Sequence, residues 1–370
     1  MTTEATAEAP APVTVPSSTG TAASSDTVAV GNGSEESGSA APTLTVAFVG
    51  AGEVARIFAA GIAAHAGATG RIVRFRGFNA GRRNRPPYAA DFRELNAQTG
   101  ITLADTVAEA VAGADIVFSS VVADQAESTG LAIAEALGTG VVDEAGVAGS
   151  VSGASATDGA STMDGAANSG AAPLVIDLNA TTPEAIRTVK AALDTAGARF
   201  VDASIMDTVP VFRMGVPLCI SGDPEAIAAF TAADLGFTNV RDLQAEAGTA
   251  STAKVLRSVV MKALEASLVE SFRAAEKAGI LDVVADSVVA TFDDMLGRTL
   301  VDDLVKSEML HARRRAAEME GAVSTLEDLG VSAFVSAGAR DHLAHIAELM
   351  HDRTPVAPEA TPAEAIRNLG

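Results

Sequence analysis

A glycine turn lies directly between an apolar segment and a segment of helical periodicity near residue 50. Residues 44–49 are nearly all apolar, as expected of a strand that is buried on both faces of a parallel sheet. The turn "GAGEVA" follows at once, and apolar residues then recur at helical spacing from Val54 to Ile62. A strand, a tight turn and a helix in this order predict the start of a βαβ unit.

The turn has the spacing G-x-G-x-x-A, formed by Gly50, Gly52 and Ala55. The first glycine permits the tight turn, the second lets a pyrophosphate approach the backbone, and the small third residue lets the helix pack against the strand. The N–H groups at the start of the helix would then face the phosphate charge. The pattern predicts a dinucleotide site with contacts at Gly50, Gly52, Glu53, Val54 and Ala55.

The end of the second predicted strand favours NADP over NAD. NAD sites usually place an acidic residue there for the ribose 2′-hydroxyl, but residues 66–90 contain neither Asp nor Glu. The same stretch holds six of the 26 basic residues, and a guanidinium can bind a 2′-phosphate through two hydrogen bonds. We expect Asn79, Arg82 and Arg83 to contact this phosphate, although some of the six arginines belong to an ordinary solvated loop.

Strands alternate with helices for about 190 residues and then give way to helices alone. This order predicts an α/β fold: an N-terminal Rossmann domain with a doubly wound parallel sheet, followed by an all-α domain that begins with an unusually long helix. Segments rich in Ala, Ser, Gly and Pro are expected to be disordered, because they cannot bury enough apolar surface. The predicted divisions are a disordered tail at 1–42, the Rossmann domain at 43–245 with a disordered insertion at 141–172, the helical substrate and dimerisation domain at 246–351, and a disordered tail at 352–370.

Composition excludes several classes of protein. A net charge of −21 argues against a nucleic-acid surface and against anionic membranes. The sequence contains no run of about 18 apolar residues, so no membrane span is predicted. The N-terminal segment lacks the basic region and apolar core of a signal peptide, and the single cysteine fits a reducing compartment, so we expect a cytoplasmic protein. His342, His345 and Glu348 lie at helical spacing, but without a fourth ligand they predict a polar helix face and no metal site.

Several segments match, in order, the motifs of one enzyme family. They are "VAFVGAGEVA" at 46–55, "ADIVFSSVV" at 114–122, "DLNATTP" at 177–183, "FVDASIMDTVP" at 200–210 and "GTASTAKVLRS" at 248–258. Over about 44–350 the chain resembles the β-hydroxyacid dehydrogenases, which include 3-hydroxyisobutyrate and 6-phosphogluconate dehydrogenases. Its helical half is similar to a bacterial subgroup whose C-terminal domain of unknown function is related to phosphogluconate dehydrogenase.

The resemblance implies roles for further residues. Lys254 falls on the catalytic lysine of the family, and Ser120, Val121, Val122 and Asn179 fall on segments near the nicotinamide. The implied substrate contacts are Asn179, Ala180, Thr181, Met206, Asp207, Arg257 and Ser258. The relatives' helical domains dimerise, so a homodimer is also implied.

This chain departs from the family at the substrate motifs. Asn179 and Ala180 replace a Ser-Thr pair, and Met206-Asp207-Thr208 replaces Ser-Gly-Gly. Arg257 replaces an asparagine, and it can bind an acid group through two hydrogen bonds, so we expect a small acidic substrate.

Hydride transfer to a carbonyl needs a proton donor beside the oxygen, and a lysine with a lowered pKa suits that role. Periodicity alone leaves a second interpretation open, because Lys254, Arg257, Ser258 and Lys262 share one helical face that solvent alone would also explain. Lys254 lies near the helix N-terminus, where the helix dipole disfavours a cation by about 0.3–1 kcal/mol, and this favours a functional role.

The leading hypothesis is an NADP-dependent oxidoreductase acting on a small β-hydroxyacid or its oxo form, with Lys254 as general acid and base. Imine reductases share the architecture but commonly lack the lysine, so they form the second hypothesis. The altered substrate motifs leave a third open: an inactive NADP-binding sensor or scaffold.

Overall fold

The computed structural model describes residues 43–80, 88–138, 171–295, 297–354, 356–357 and 359–369. The predicted tail at 1–42, most of the insertion at 141–172, and Arg82 and Arg83 lie outside these residues.

Strands and helices alternate up to residue 242, and the described chain is helical from residue 249 onward. The strands are β1 (Thr43–Val49), β2 (Ile72–Phe78), β3 (Ile101–Leu103), β4 (Ile116–Ser119), β5 (Leu174–Asp177), β6 (Arg199–Ile205), β7 (Leu218–Gly222) and β8 (Val240–Asp242). The helices are α1 (Glu53–Thr69), α2 (Tyr88–Gln98), α3 (Val107–Val111), α4 (Ala126–Gly138), α5 (Pro183–Thr195), α6 (Val209–Phe212), α7 (Pro224–Ala233), α8 (Thr249–Lys277), α9 (Leu281–Asp294), α10 (Gly297–Asp328), α11 (Phe334–Leu349) and α12 (Pro362–Arg367).

The eight strands form one sheet in the order β3-β2-β1-β4-β5-β6-β7-β8. Apolar side chains cover both faces: Phe48 and Phe118 belong to the core on one face, and Val117 and Val175 belong to the core on the other. The strand order reverses between β1 and β4, which is where doubly wound sheets bind ligands. The predicted fold class is therefore confirmed.

One strand pair departs from the predicted parallel arrangement. β1 to β6 are parallel, whereas β7 pairs with β6 in the antiparallel sense. The link between them, residues 206–217, contains only the four-residue α6 and a single 3₁₀ turn. A parallel connection is usually made through a helix that crosses the face of the sheet, and this link contains no such helix, so the chain returns antiparallel.

The C-terminal segment is more ordered than the sequence predicted. Residues 362–367 form α12, where Thr361 and Glu364 complete a capping box and Pro362 occupies the first turn. Val356 and Ala365 are buried in a cluster with Met309 of α10 and Ile346 of α11. The expectation of a disordered tail at 352–370 was therefore wrong for these residues, because their apolar side chains have a partner surface.

Candidate functional site

A cleft of about 640 Å³ opens at the carboxyl ends of β1 and β4, where the strand order reverses. We call it the β1–β4 cleft. Its lining residues include eight of the predicted cofactor contacts: Gly50, Gly52, Glu53, Val54, Asn79, Ser120, Val121 and Val122. The glycine turn and the ends of β2 and β4 thus meet at one place, as a dinucleotide site requires.

Gly50 holds the turn against the end of β4. Its φ is 97°, and its N–H donates to the Phe78 carbonyl at 2.8 Å. A Cβ at this position would lie 2.0 Å from the Ser120 carbonyl oxygen, so no other residue fits without moving the backbone.

Gly52 is different, because the space beside it is open. A Cβ there would meet only the Gly50 carbonyl oxygen, at 3.8 Å. Gly52 is the N-cap of α1, and no side chain caps the helix. The first N–H groups of the helix are therefore available to an anion in the cleft. The cleft fits the pyrophosphate of a dinucleotide in its chemistry and its space.

Asn179 links the cleft wall to the buried ends of β4 and β5. Its side chain is buried, and its Oδ1 accepts a hydrogen bond from the Val121 N–H at 2.6 Å. Its Nδ2 donates to Ser119 Oγ at 2.8 Å and to Asp177 Oδ2 at 3.0 Å. The amide is thus fully used within the protein, and it fixes the cleft wall at Val121.

Asp202 fixes the start of α8. Its Oδ2 accepts hydrogen bonds from the N–H groups of Gly248 at 2.8 Å and Ser251 at 3.1 Å, and its Oδ1 accepts from Ser251 Oγ at 2.7 Å. Ser221 Oγ accepts from the Ala250 N–H at 3.0 Å and donates to Asp202. Strands β6 and β7 therefore cap the helix, because Gly248 has no side chain to do so.

Lys254 lies about one turn further along α8 and is half-buried. Burial lowers the pKa of its amine below the ordinary value of 10.5. The carboxylates of Asp177 and Asp202 oppose this lowering of the pKa, and the guanidinium of Arg257 adds to it. The helix face therefore does not present Lys254 to solvent as an ordinary polar stripe would.

The opposite face of α8 supports this distinction. Val255, Leu256, Val259 and Val260 are 41–65% exposed, although they are the apolar residues of the helix. Ser258 is half-buried beside Lys254, while Lys262 is exposed and pairs with Glu265 at 2.8 Å. The cationic face is thus split: its first turn is turned toward the sheet edge, and its later turns face solvent.

Arg257 and Asp207 form a loose ion pair at the entrance to this region. Arg257 Nη2 lies 3.9 Å from Asp207 Oδ2, and both side chains are about 40% exposed. The two residues come from different parts of the chain, α8 and the segment that follows β6. Their exposure leaves the guanidinium accessible to a second anionic partner.

The remaining predicted residues are distributed around this edge. Ala55 is a buried residue in the first turn of α1 and does not line the cleft, in agreement with a packing role. Thr181 is half-buried and Ala180 is exposed at the start of the α5 segment. Met206 is half-buried, and its N–H donates to the Pro217 carbonyl at 2.9 Å. Lys254 and Arg257 are not among the residues that line the β1–β4 cleft.

Two groups of residues were missed by the sequence analysis. The first lines the cleft from α4 and its approach: Gln125, Ser128, Thr129 and Ala132. The strand order would have indicated them, since α4 follows β4 at the switch point, but that order is not visible in the sequence. The second group is the buried carboxylates Asp177 and Asp202, which the matched motifs contain but which no local pattern marks as interacting.

No helix in the described ranges is long and apolar enough to cross a membrane. No group of three or more His, Cys, Asp or Glu side chains in the described part of the chain could hold a metal ion.

A known family model matches part of the helical half. Residues 275–346 match the family model described as domain of unknown function DUF1932. This is a C-terminal domain of β-hydroxyacid dehydrogenase-like proteins, so the resemblance predicted from the sequence is confirmed. No curated protein matches the sequence significantly.

Solved structures share the whole architecture. An imine reductase of Streptomyces aurantiacus aligns over 88% of this chain and 99% of its own, with 16% identity and a TM-score of 0.57. A reductive aminase of Aspergillus terreus, in complex with NADPH and ethyl-5-oxohexanoate, aligns over 89% of this chain and 100% of its own, with 15% identity and a TM-score of 0.59. A conserved hypothetical protein of Sinorhizobium meliloti is 27% identical over 88% of this chain and 95% of its own, with a TM-score of 0.46. The two reductases establish the likeness in fold.

Proposed function

We propose that this chain is an NADP-dependent oxidoreductase that acts on a small acidic substrate, with Lys254 as its general acid and base. The observation that carries the proposal is the environment of Lys254: a half-buried amine of lowered pKa at the carboxyl edge of the sheet that also bears the β1–β4 cleft. A lysine of perturbed pKa, on a domain that also carries an open cleft, is a recognised mark of an active site.

The residues divide the work of such a reaction. Gly50, Gly52 and the start of α1 would hold the pyrophosphate, and the Ser120–Val122 segment would lie against the nicotinamide end. A nicotinamide, when bound, supplies the hydride chemistry. In reduction Lys254 Nζ would give its proton to the carbonyl oxygen, and in oxidation it would take the proton of the hydroxyl.

The preference for NADP rests on the second strand. Asn79 lines the cleft at the end of β2, and no acidic residue follows it before Asp91. Of the nearby arginines, Arg71 and Arg76 donate to the carbonyls of Ala233 and Ala112, so they are engaged elsewhere. Arg82 and Arg83, which follow Asn79 most closely in the sequence, are the candidates for the 2′-phosphate. We expect kcat/KM with NADPH to exceed that with NADH by at least about tenfold, the equivalent of roughly 1.4 kcal/mol; a strong NADH preference would refute this.

The proposal of an acidic substrate depends on Arg257. Its only described ion-pair partner is Asp207 at 3.9 Å, beyond hydrogen-bond distance, so a substrate carboxylate can compete for the guanidinium. The segment that usually offers hydroxyl and backbone donors in the family here carries Met206 and Asp207, which makes Arg257 the main recognition group for an acid.

The architecture shared with imine reductases favours a second candidate substrate, a C=N bond. An assay with NADPH, a panel of small oxoacids and a panel of cyclic imines separates the alternatives. We expect turnover of oxoacids. Turnover of imines alone would assign the second function, and tight NADPH binding without any turnover would assign the inactive sensor.

The helical half favours a homodimer. Apolar side chains of α8 and α9 are exposed in a single chain, among them Leu256, Val260, Val283 and Phe292. An exposed apolar surface of this extent marks an association site. Light scattering should give the mass of two chains, and the mass of one chain would contradict the proposal.

A further inference from the structure

Two buried carboxylates lie side by side on neighbouring strands of the sheet. Asp177 of β5 and Asp202 of β6 are partners in the parallel register, so their side chains project to the same face of the sheet. Each is 1% exposed. Their positions on neighbouring strands bring two acidic groups together in the interior of the protein, which happens rarely without a specific purpose.

The two carboxylates are held in different ways. Asp202 accepts from four donors that belong to the start of α8 and to Ser221, so it is committed to the helix cap. Among the described residues, Asp177 accepts only from Asn179, from its N–H at 2.8 Å and from its Nδ2 at 3.0 Å. Asp177 is therefore the carboxylate whose charge can respond to its neighbours.

Asp177 is linked both to the β1–β4 cleft and to Lys254. Through Asn179 it anchors the Val121 N–H, which belongs to the wall of the β1–β4 cleft. Its charge acts on Lys254 as the largest of the opposing influences on that amine. One buried group thus connects the cleft with the proton carrier.

We propose that Asp177 is a positioning residue that serves as the variable counter-charge of Lys254 and thereby sets the protonation state of the amine. The inference rests on the proposed role of Lys254. With Asp177 ionised, Lys254 is held as the ammonium, which is the form that can donate a proton. With Asp177 protonated, more of Lys254 is in the neutral amine form, which can accept a proton from a substrate hydroxyl.

The electrostatics of the cluster agree with this role. Burial raises the pKa of Asp177 to about 7, the nearby charge of Asp202 adds to the increase, and Asn179 and Lys254 oppose it. The charged groups that act on Lys254 are Asp177 of β5, Asp202 of β6 and Arg257 of α8, and Arg257 is in turn paired with Asp207. Asp177 is the member of this set that titrates near neutrality.

The test is the titration of Lys254 in Asp177→Asn, read without using catalysis. The rate of acetylation of Lys254 by acetic anhydride is followed against pH by peptide mass spectrometry. Loss of the counter-charge should move the midpoint to lower pH by roughly 1–2 units, the size expected when a nearby opposite charge is removed. The pH profile of NADPH-dependent turnover should move in the same direction.

Asp115→Asn is the matched control. Asp115 precedes β4 at the opposite edge of the sheet, and its Oδ2 accepts the Thr45 N–H at 2.8 Å. This variant makes the same change of charge and also weakens one backbone hydrogen bond, but it should leave the Lys254 midpoint unchanged. An unmoved midpoint in Asp177→Asn, or equal shifts in both variants, would overturn the inference.

The wild-type protein provides a second measurement if Asp177→Asn does not fold. Coupling to a carboxyl that titrates near pH 7 makes the logarithm of the acetylation rate rise by less than one per pH unit between about pH 6 and 8. A slope of one throughout would overturn the inference. Absence of turnover in the substrate panel would refute the proposed function, and the Lys254 titration would still test Asp177.

Discussion

Lys254→Met is expected to lower turnover with NADPH by a factor of about 10²–10⁴, the usual contribution of a positioned proton donor. The substitution keeps a long apolar stem, so the packing of α8 over Asp177 and Asp202 is largely retained. It removes the half-buried amine whose pKa burial lowers and two carboxylates partly restore. Binding of NADPH, followed by fluorescence titration, should change little, because Lys254 does not line the β1–β4 cleft.

Lys262→Met provides the comparison on the same helix. Lys262 lies two turns further along α8, is 73% exposed and pairs with Glu265 in solvent, where an ion pair contributes little. We expect wild-type turnover from this variant. Near-normal rates in Lys254→Met, or equal losses in both variants, would show that Lys254 is not the proton carrier.

The pH dependence of the wild-type reaction follows from the lowered pKa of Lys254. Reduction needs the protonated amine, so its rate should fall as pH rises through that pKa. Oxidation needs the free amine and should rise over the same interval. A lysine of ordinary pKa would place both changes near 10.5, outside the useful range of most assays.

Local signals predicted the parts of the site that are built from consecutive residues. The turn from Gly50 to Ala55 was identifiable because a strand, two glycines and a helix follow one another without interruption. The long α8 was identifiable from its periodicity, and its N-terminus falls at Thr249 as the small residues indicated. In these places the chemistry of each residue and its position along the chain are sufficient to predict the local structure.

Long-range pairing supplied what the sequence could not. Asp202 caps α8 through Gly248, 46 residues away, and Asn179 reaches Val121 across 58 residues. Asp177 and Asp202 become neighbours only through the register of β5 and β6. Register depends on the whole sheet, so no window of the sequence contains it. The capping box at Thr361 is different, because its T-x-x-E spacing was visible and composition alone led to the wrong expectation.

Gly50→Ala is expected to have the largest effect on cofactor binding. The added Cβ would lie 2.0 Å from the Ser120 carbonyl oxygen and 2.5 Å from its carbon, both of which are backbone atoms that cannot turn aside. The φ of 97° adds strain for any L-residue. Together these effects should lower the free energy of unfolding by about 2–5 kcal/mol and displace the cleft wall at Ser120 and Val121.

Gly67→Ala, on the helix that the same turn begins, separates this effect from the chemistry of the substitution. No atom lies within 4 Å of a Cβ at Gly67, and the residue is exposed within α1. Alanine there should raise stability by about 0.5–1 kcal/mol, because glycine loses more conformational freedom in a helix. Denaturant unfolding should therefore show a lower stability for Gly50→Ala and a higher stability for Gly67→Ala. Titration with NADPH should show a loss of affinity only for Gly50→Ala. Wild-type affinity for NADPH in a folded Gly50→Ala protein would show that the cofactor binds away from the glycine turn.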